Sequence, residues 1–476
     1  MTQPLPHRWR ALWVTLVAGF MTLLDVSIVA VALPSMLREL DATPASVQWV
    51  VSGYALTFGL TLVAAGRLGD ALGRRRMFLF SLAAFILFSA AAGAAPSIET
   101  LVIARLAQGI ASGSLAPQNS GLIQQLFSGA ERGRAFGLFG ATIGISTAVG
   151  PVLGGLILAV ASWRWIFFVN VPIGLVALVL AARLLPRTRG EGSVRGQLDP
   201  PGVLLLGGAV LTAMLPLVQA ENGGLRRLWW LFPVAAALIG AFLWWEARTA
   251  RRGRQPLLDL RLLTQTPGYA GGIALGTVYF VGFSGIWLVL ALYLQEGLGW
   301  SPLHSGLAVT PFSVGSAAAA VIAGRLVNRL GRRLTVIGLL TVVVGLVATA
   351  LTLRYAPAWA VAPALLIGGV GSGLVISPNI TLTLRNVPVE MAGAAGGALQ
   401  TGQRVGAAVG TALLPGLYFA VLATTHRNAE AVMIAVCTAA AATAVALLIA
   451  GAEWRADHRR PRGEPKPELQ AHGAAG

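Results

Sequence analysis

Gly66-Arg-Leu-Gly-Asp-Ala-Leu-Gly-Arg-Arg-Arg76 directly follows a long apolar run, and Gly324-Arg-Leu-Val-Asn-Arg-Leu-Gly-Arg-Arg333 follows another. The two copies begin 258 residues apart. A repeated Gly-Arg-Leu with a repeated Leu-Gly-Arg-Arg implies two related halves. Each copy is predicted to form a short basic turn between apolar segments. Flanks of that kind imply a duplicated membrane bundle whose halves move against each other, which is how a transporter works.

Composition supports a membrane chain. Of 476 residues, 56% are hydrophobic and only 11% charged, against about 25% charged in a soluble domain. All but two, Arg105 and Arg404, of the 35 basic residues behind the net charge of +17 lie in turns and tails. No basic face with interleaved aromatics is present, so nucleic acid is excluded as a partner and anionic membrane lipid is the natural one. The single cysteine, Cys437, lies in an apolar run, which leaves no disulfide framework. The five histidines lack ligand spacing. No metal, no cofactor and no enzymatic constellation is expected, and a monomer is expected.

Fourteen apolar runs are long enough to span, from 11–33 at the start to 430–451 at the end. They are about twice the length of a barrel strand and lack alternation, so they are helices. With both termini inside, 27 Lys and Arg fall in inside turns and tails and 6 in outside turns, as the positive-inside rule requires. The duplication continues beyond the basic turns. Ser112-Gly113 with Pro117 and Asn119 resembles Ser372-Gly373 with Pro378 and Asn379, at an offset of 260. Equivalent helices are therefore eight apart. The expected order is a six-helix bundle over 1–185, an inner linker at 186–200, two extra helices over 201–245, a second linker at 246–269, a six-helix bundle over 270–452 and a disordered cytoplasmic tail at 453–476.

Asp25 is the one acid well inside a span, roughly 12 Å below the outer end of the first helix at 1.5 Å per residue. A charge there is costly and marks a functional site, one that gains and loses a proton, or else a structural acid tied to a nearby hydroxyl or backbone group. Arg105 lies at a similar depth on the fourth helix. It either pairs with Asp25 or snorkels to the outer surface. Arg404, near mid-membrane on the thirteenth helix beside Gln400, either meets an anionic or carbonyl-bearing substrate or locks the bundle. Tyr279, Phe283 and Trp287 stand at i, i+4 and i+8 on one stripe, as cavity wall or as packing. Tyr54, Gln108, Asn119 and Asn379 complete the residues expected to line a substrate cavity. Glu246, Glu296 and Asp259 sit at helix ends or turns and are read as solvated.

In the basic turns, Gly66 and Gly73 let helices approach. Asp70 is placed to accept bonds from a helix N-terminus or to pair with Arg74, latching an inner gate. Gly324, Arg325, Asn328 and Arg332 form the second copy, whose latch is expected to be weaker because Asn328 replaces the acid. The fifth helix carries Gly140, Gly144, Gly150, Pro151, Gly154 and Gly155. That density suggests a pivot with close packing and a bend.

These features resemble the major facilitator superfamily, specifically its fourteen-helix drug/proton antiporter branch. Gly66–Arg76 is similar to the superfamily's first motif. Leu24-Asp25 through Leu33-Pro34 resembles the branch's first-helix signature, and Arg105-Leu-Ala-Gln-Gly109 resembles the fourth-helix motif linked to proton coupling. Gly150-Pro151 with Gly154-Gly155 resembles the fifth-helix antiporter motif, and Trp163–Pro172 resembles the opening of the sixth helix. The resemblance implies functional roles for Asp25, Asp70, Arg74, Arg105, Gly150 and Pro151. It also implies a proton-coupled antiporter of the cytoplasmic membrane exporting small lipophilic drugs or toxic compounds. The alternatives are a dedicated exporter of one endogenous metabolite, such as an antibiotic or lipid-like product, and a non-transporting scaffold or sensor. Two departures stand out: Asn328, and the lack of a second deep acid, which makes divalent cations poor candidate substrates.

Overall fold

The structure, a computed structural model, describes residues 7–186, 199–219, 223–252 and 256–459. Fourteen long helices account for most of them, and no strand occurs among the described residues. In order these are α1 (Arg8–Glu39), α2 (Pro44–Leu72), α3 (Arg74–Gly93), α4 (Ile98–Leu126), α5 (Gly129–Val160), α6 (Asn170–Leu184, preceded by one helical turn at Trp165–Phe168), α7 (Pro200–Val218), α8 (Leu231–Arg251), α9 (Tyr269–Leu292), α10 (Pro302–Leu330), α11 (Arg332–Tyr355), α12 (Val361–Thr383), α13 (Ala392–Thr425) and α14 (Asn428–Arg459). Twelve of them are long and apolar enough to cross a membrane. The expected count of fourteen spans therefore does not follow from apolarity alone. α4 shows why: its Arg105, Gln108, Gln118, Asn119 and Gln124 are buried against other helices rather than presented to lipid. Large apolar side chains such as Phe80, Leu204 and Leu448 instead face outward from the bundle, as a hydrocarbon solvent requires.

Local chemistry sets the helix starts. Thr43 accepts a bond from the Ser46 amide at 3.2 Å ahead of Pro44. Ser301 does the same for His304 at 3.3 Å ahead of Pro302. Pro in a first turn has no amide to leave unpaired.

The opening motif is not a turn. α2 continues to Leu72 and α3 begins at Arg74, so most of the motif is the last two turns of a helix. Only Gly73 breaks the helix, at φ 96°, and Gly331 does the same at φ 53° in the second copy, a backbone region that favours glycine. At the other boundary, α14 runs to Arg459 instead of giving way to a disordered tail at 453. Trp454 holds those extra turns, its ring lying 5.6 Å from the Arg333 guanidinium. The rest of the expected tail and most of the 186–200 linker lie outside the described residues.

Helices α1–α6 pack among themselves, and so do α9–α14. The expected duplication has a packing counterpart. Gly109 and Gly113 of α4 press on α2 at Tyr54 and Phe58, while Gly369 and Gly373 of α12 press on α10 at Phe312 and Ser316. Between the halves, α5 runs against α10 and α2 against α13. α7 lies against both α2 and α13, and α8 packs outside α7. The described part of the 246–269 stretch is not simple linker. Leu257, Leu258 and Leu262 enter the core, and Glu246 is fully buried rather than solvated. Its Oε2 accepts the Leu258 amide at 3.1 Å. The chain after α8 folds back over the helix end, which a reading of helix ends alone does not capture.

Candidate functional site

The α1 start and the α14 end share one face of the bundle, here the terminal face. There Arg8 pairs with Glu131 at the start of α5 at 2.7 Å. Asp70, at the end of α2, joins the two halves. It accepts the Gly393 and Ala394 amides, both at 3.1 Å, at the N-terminus of α13. It also pairs with Arg74 at 2.9 Å. Arg74 in turn donates to the Gly121 carbonyl at 2.8 Å and to the Val389 carbonyl just before α13. A carboxylate at a helix N-terminus is favoured by the free amides and the helix dipole. Gly66 permits the approach: a Cβ there would lie 2.6 Å from the Gly393 carbonyl carbon.

The second copy is built differently. Arg332 donates to Asn379 Oδ1 at 2.8 Å and to the Gly268 carbonyl at 3.0 Å, both inside its own half. Asn328 lies against Gly133 of α5, and Gly133 in turn meets Gly324. Arg325 is exposed at the surface rather than set between the halves.

Asp25 is 0% exposed, deep in the first half. Arg105 Nη1 donates to its Oδ2 at 2.5 Å and to Gln108 Oε1 at 2.7 Å. Gln108 Nε2 and Asn170 Nδ2 donate to its other oxygen at 3.1 and 3.3 Å. Arg105 Nε is satisfied by the Val50 carbonyl at 3.0 Å, and the guanidinium lies 4.2 Å from the Tyr54 ring centroid and 5.6 Å from that of Phe167. Arg105 is therefore a pairing residue and does not snorkel. The acid sits in a nearly complete polar shell, where a charge can be held away from water.

A cavity of about 260 Å³ lies between the halves. Thr22, Leu23, Val26 and Ser27 of α1 line it, so Asp25 stands on the same helical turns but faces the other way. Among the residues expected to line a cavity, Asn119, Phe283, Trp287, Gln400 and Arg404 do so. Four do not. Tyr54 turns into the first half, covering Arg105 and donating to the Thr22 carbonyl at 3.3 Å. Gln108 belongs to the Asp25 shell. Tyr279 donates to Ser372 at 2.8 Å, and Asn379 is held by Arg332 and by the Gly272 carbonyl at 2.9 Å. Each is a polar residue consumed by a neighbouring helix, since a buried polar atom needs a partner.

Two further residues escaped sequence reasoning. Asn170 and Ser89, bonded to each other at 3.2 Å, support Asp25 from α6 and α3. A lone Asn opening an apolar run was the available signal. On α5, a Cβ at Gly140 would lie 2.8 Å from Ser377 Cβ, one at Gly144 3.3 Å from the Ala317 amide, and one at Gly150 2.6 Å from Ser27 Cβ. A Cβ at Gly154 would lie 3.1 Å from Ile28 Cγ1, whereas one at Gly155 would meet nothing within 4 Å. The helix continues through residue 151 without a break. α5 thus passes from the second half onto α1 along its length.

A family model described as Major Facilitator Superfamily matches residues 15–411, and again 272–473. A puromycin resistance protein of Streptomyces alboniger is 38% identical over 423 residues, 86% of this chain and 82% of that protein. A tetracenomycin C resistance and export protein of Streptomyces glaucescens is 34% identical over 418 residues, 85% of this chain and 75% of that protein. The solved structure of a proton:xylose symporter of the superfamily bound to 6-bromo-6-deoxy-D-glucose superposes with a TM-score of 0.68 at 15% identity, covering 94% of this chain and 95% of that one. A likeness at that identity speaks for the fold alone. With apolar helices long enough to cross a membrane, a cavity between paired halves and these matches, the chain is a multi-pass membrane transporter that belongs to the Major Facilitator Superfamily.

Proposed function

We propose that this protein exports small lipophilic compounds across the cytoplasmic membrane by alternating access, coupled to proton entry, with both termini in the cytoplasm. The division into bundles at 1–185 and 270–452, separated by two inserted helices, belongs to this reading. So does the orientation, which rests on the asymmetry of 27 against 6 basic residues.

The observation that carries the proposal is the Asp25–Arg105 pair, sealed within one half yet on the same turns of α1 as the cavity wall. A proton arriving from outside would neutralise Asp25 and release Arg105. It would thereby alter how α1, α2 and α4 are held together. Asp70 and Arg74 would hold the terminal face shut in the outward-facing state. Release of the proton inside, favoured by substrate binding, would restore the pair. A transport cycle of this kind needs one bistable element biased by both ligands, and the paired halves supply it. The test is efflux from proteoliposomes across a panel of dyes and drugs, with and without a pH gradient. Flux that ignores the gradient removes proton coupling, and no flux at all favours a scaffold or sensor.

A second reading, a dedicated exporter of one endogenous product, is supported by relatives named for a single antibiotic. A response confined to one compound class in the same panel would favour it.

A further inference from the structure

We propose that the central cavity selects aromatic organic anions, flat ring systems bearing one sulfonate, carboxylate or acidic phenolate, and seats the anionic group on Arg404. The inference rests on the exporter reading and names the substrate class of its cavity.

Charge is the first argument. Arg404 is the only ionisable side chain in the cavity wall among the described residues. No carboxylate lies within ion-pair distance of it among the described residues. Its guanidinium instead rests 4.1 Å from the centroid of the Phe58 ring. A cation–π contact of this kind steadies the group without cancelling its charge. Asp25 offers no compensation, because its oxygens are taken by Arg105, Gln108 and Asn170. The wall therefore carries one positive charge with no counter-charge beside it among the described residues. A cationic ligand would meet repulsion there and no counter-charge, whereas an anion would supply the missing partner in fork geometry.

Shape and polarity agree. Phe139, Phe280, Phe283 and Trp287 face the same space as Phe58, and Trp287 is braced edge-on by Phe312 at 4.5 Å. Flat aromatic walls favour flat ligands. Gln403 and Asn119 line the same wall as Arg404, with amide groups that can donate to acceptor atoms of a ring system. Gln400 Nε2 donates to Ser120 Oγ at 3.3 Å and to the Ala116 carbonyl at 3.4 Å, which commits that amide to α4. The volume, about 260 Å³, falls just below the roughly 300–1,000 Å³ typical of small-molecule sites. That suits a fused-ring compound rather than a long lipid.

An electrical consequence follows. Exchange of one proton inward for one monovalent anion outward moves two charges in the direction an interior-negative potential drives. Export of such a substrate is then driven by voltage as well as by the pH gradient.

The test uses the full chain in proteoliposomes and two probes on one ring scaffold, 1-pyrenesulfonate and (1-pyrenylmethyl)trimethylammonium. Both probes are permanently charged, so pH alters the protein and not the ligand. The expected result is pH-gradient-driven movement of the sulfonate at least tenfold faster than of the ammonium compound, with further acceleration by a potassium-diffusion potential. Arg404→Gln should lower sulfonate movement at least tenfold, and Arg404→Lys should recover part of it. Thermal unfolding of both variants in detergent checks that they fold. If Arg404→Gln fails that check, the wild-type preference between probes and the Lys variant still decide. Equal or faster movement of the ammonium probe, or sulfonate movement indifferent to Arg404→Gln, overturns the substrate class and leaves the exporter reading standing. If neither probe binds nor moves, the substrate class is overturned, and efflux across the panel of dyes and drugs decides the exporter reading separately.

Discussion

Arg105 Nη1 lies 2.5 Å from Asp25 Oδ2, and neither side chain exposes more than 1% of its surface. Breaking a buried ion pair by removing one partner strands the other charge, at a cost of about 3–5 kcal/mol. Neutralising both partners together avoids that cost. We therefore predict that Asp25→Asn and Arg105→Gln each lower the unfolding temperature in detergent, while the double variant recovers most of the loss. Neither the single nor the double variants should sustain pH-gradient-driven efflux, with a fall of at least tenfold. A double variant that regains coupled efflux would show that the pair is structural only.

Asp70 bridges α2 to the N-terminus of α13 through two amide bonds at 3.1 Å and the Arg74 pair at 2.9 Å. Asp70→Asn keeps the shape but loses the charge and one acceptor. Charge-assisted bonds contribute about 1.5–3 kcal/mol each, so loss of about 2 kcal/mol would shift the closed-to-open equilibrium roughly thirtyfold. The shift should be toward opening at the terminal face. It is read by adding a membrane-impermeant maleimide to that side, with a cysteine placed at Ser120, beside Gly396 of α13, in a Cys437→Ser background. Unchanged labelling in Asp70→Asn would deny Asp70 a clamping role.

The glycines of this fold make separable predictions. A Cβ at Gly66 would stand 2.6 Å from the Gly393 carbonyl carbon and 3.0 Å from the Ala394 amide, whereas one at Gly155 meets nothing within 4 Å. Overpacking costs about 1–3 kcal/mol where backbone cannot retreat, while Ala for Gly in an open helix position stabilises by about 0.5–1 kcal/mol. Gly66→Ala should therefore wedge α2 from α13, raise terminal-face labelling and depress transport. Gly155→Ala should transport like wild type and unfold at the same or a higher temperature. Equal behaviour of the two variants would mean that the α2–α13 contact is not required for closure.

The helical class, the duplication and the family were legible because they are written in long apolar runs and in a motif repeated at a fixed offset. The Asp25–Arg105 partnership was legible because both are rare charges at similar depth. Which side of a helix a residue faces was less so. On a helix buried all round, period gives the stripe but not the partner, so sequence pattern points Tyr54, Gln108, Tyr279 and Asn379 to the cavity, whereas neighbouring helices bind them. Asn170 reaches Asp25 across 145 residues of chain, a juxtaposition that only packing creates. Glu246 looked solvated because the stretch that covers it is not helical and carries no periodic signal.

Glu246 yields the last prediction. Its Oε2 accepts the Leu258 amide at 3.1 Å. Its Oε1 points at Gly202, where an added Cβ would lie 2.7 Å from it and 2.5 Å from Asp199 Oδ2. Asp199 caps α7 through the Gly202 amide at 3.2 Å and accepts Trp245 Nε1 at 2.9 Å. The two carboxyl groups thus converge on one glycine and tie α7, α8 and the returning segment together. Glu246→Gln keeps an acceptor for Leu258, removes any like-charge repulsion, and offers Asp199 an amide donor. It should unfold at or above the wild-type temperature. Glu246→Ala strands the buried Leu258 amide and leaves a void, at a cost of about 2–4 kcal/mol, and should lower the unfolding temperature in detergent by several degrees. If the alanine variant is as stable as the glutamine variant, the bond to Leu258 does not hold this segment, and burial of Leu257, Leu258 and Leu262 in the core suffices without it.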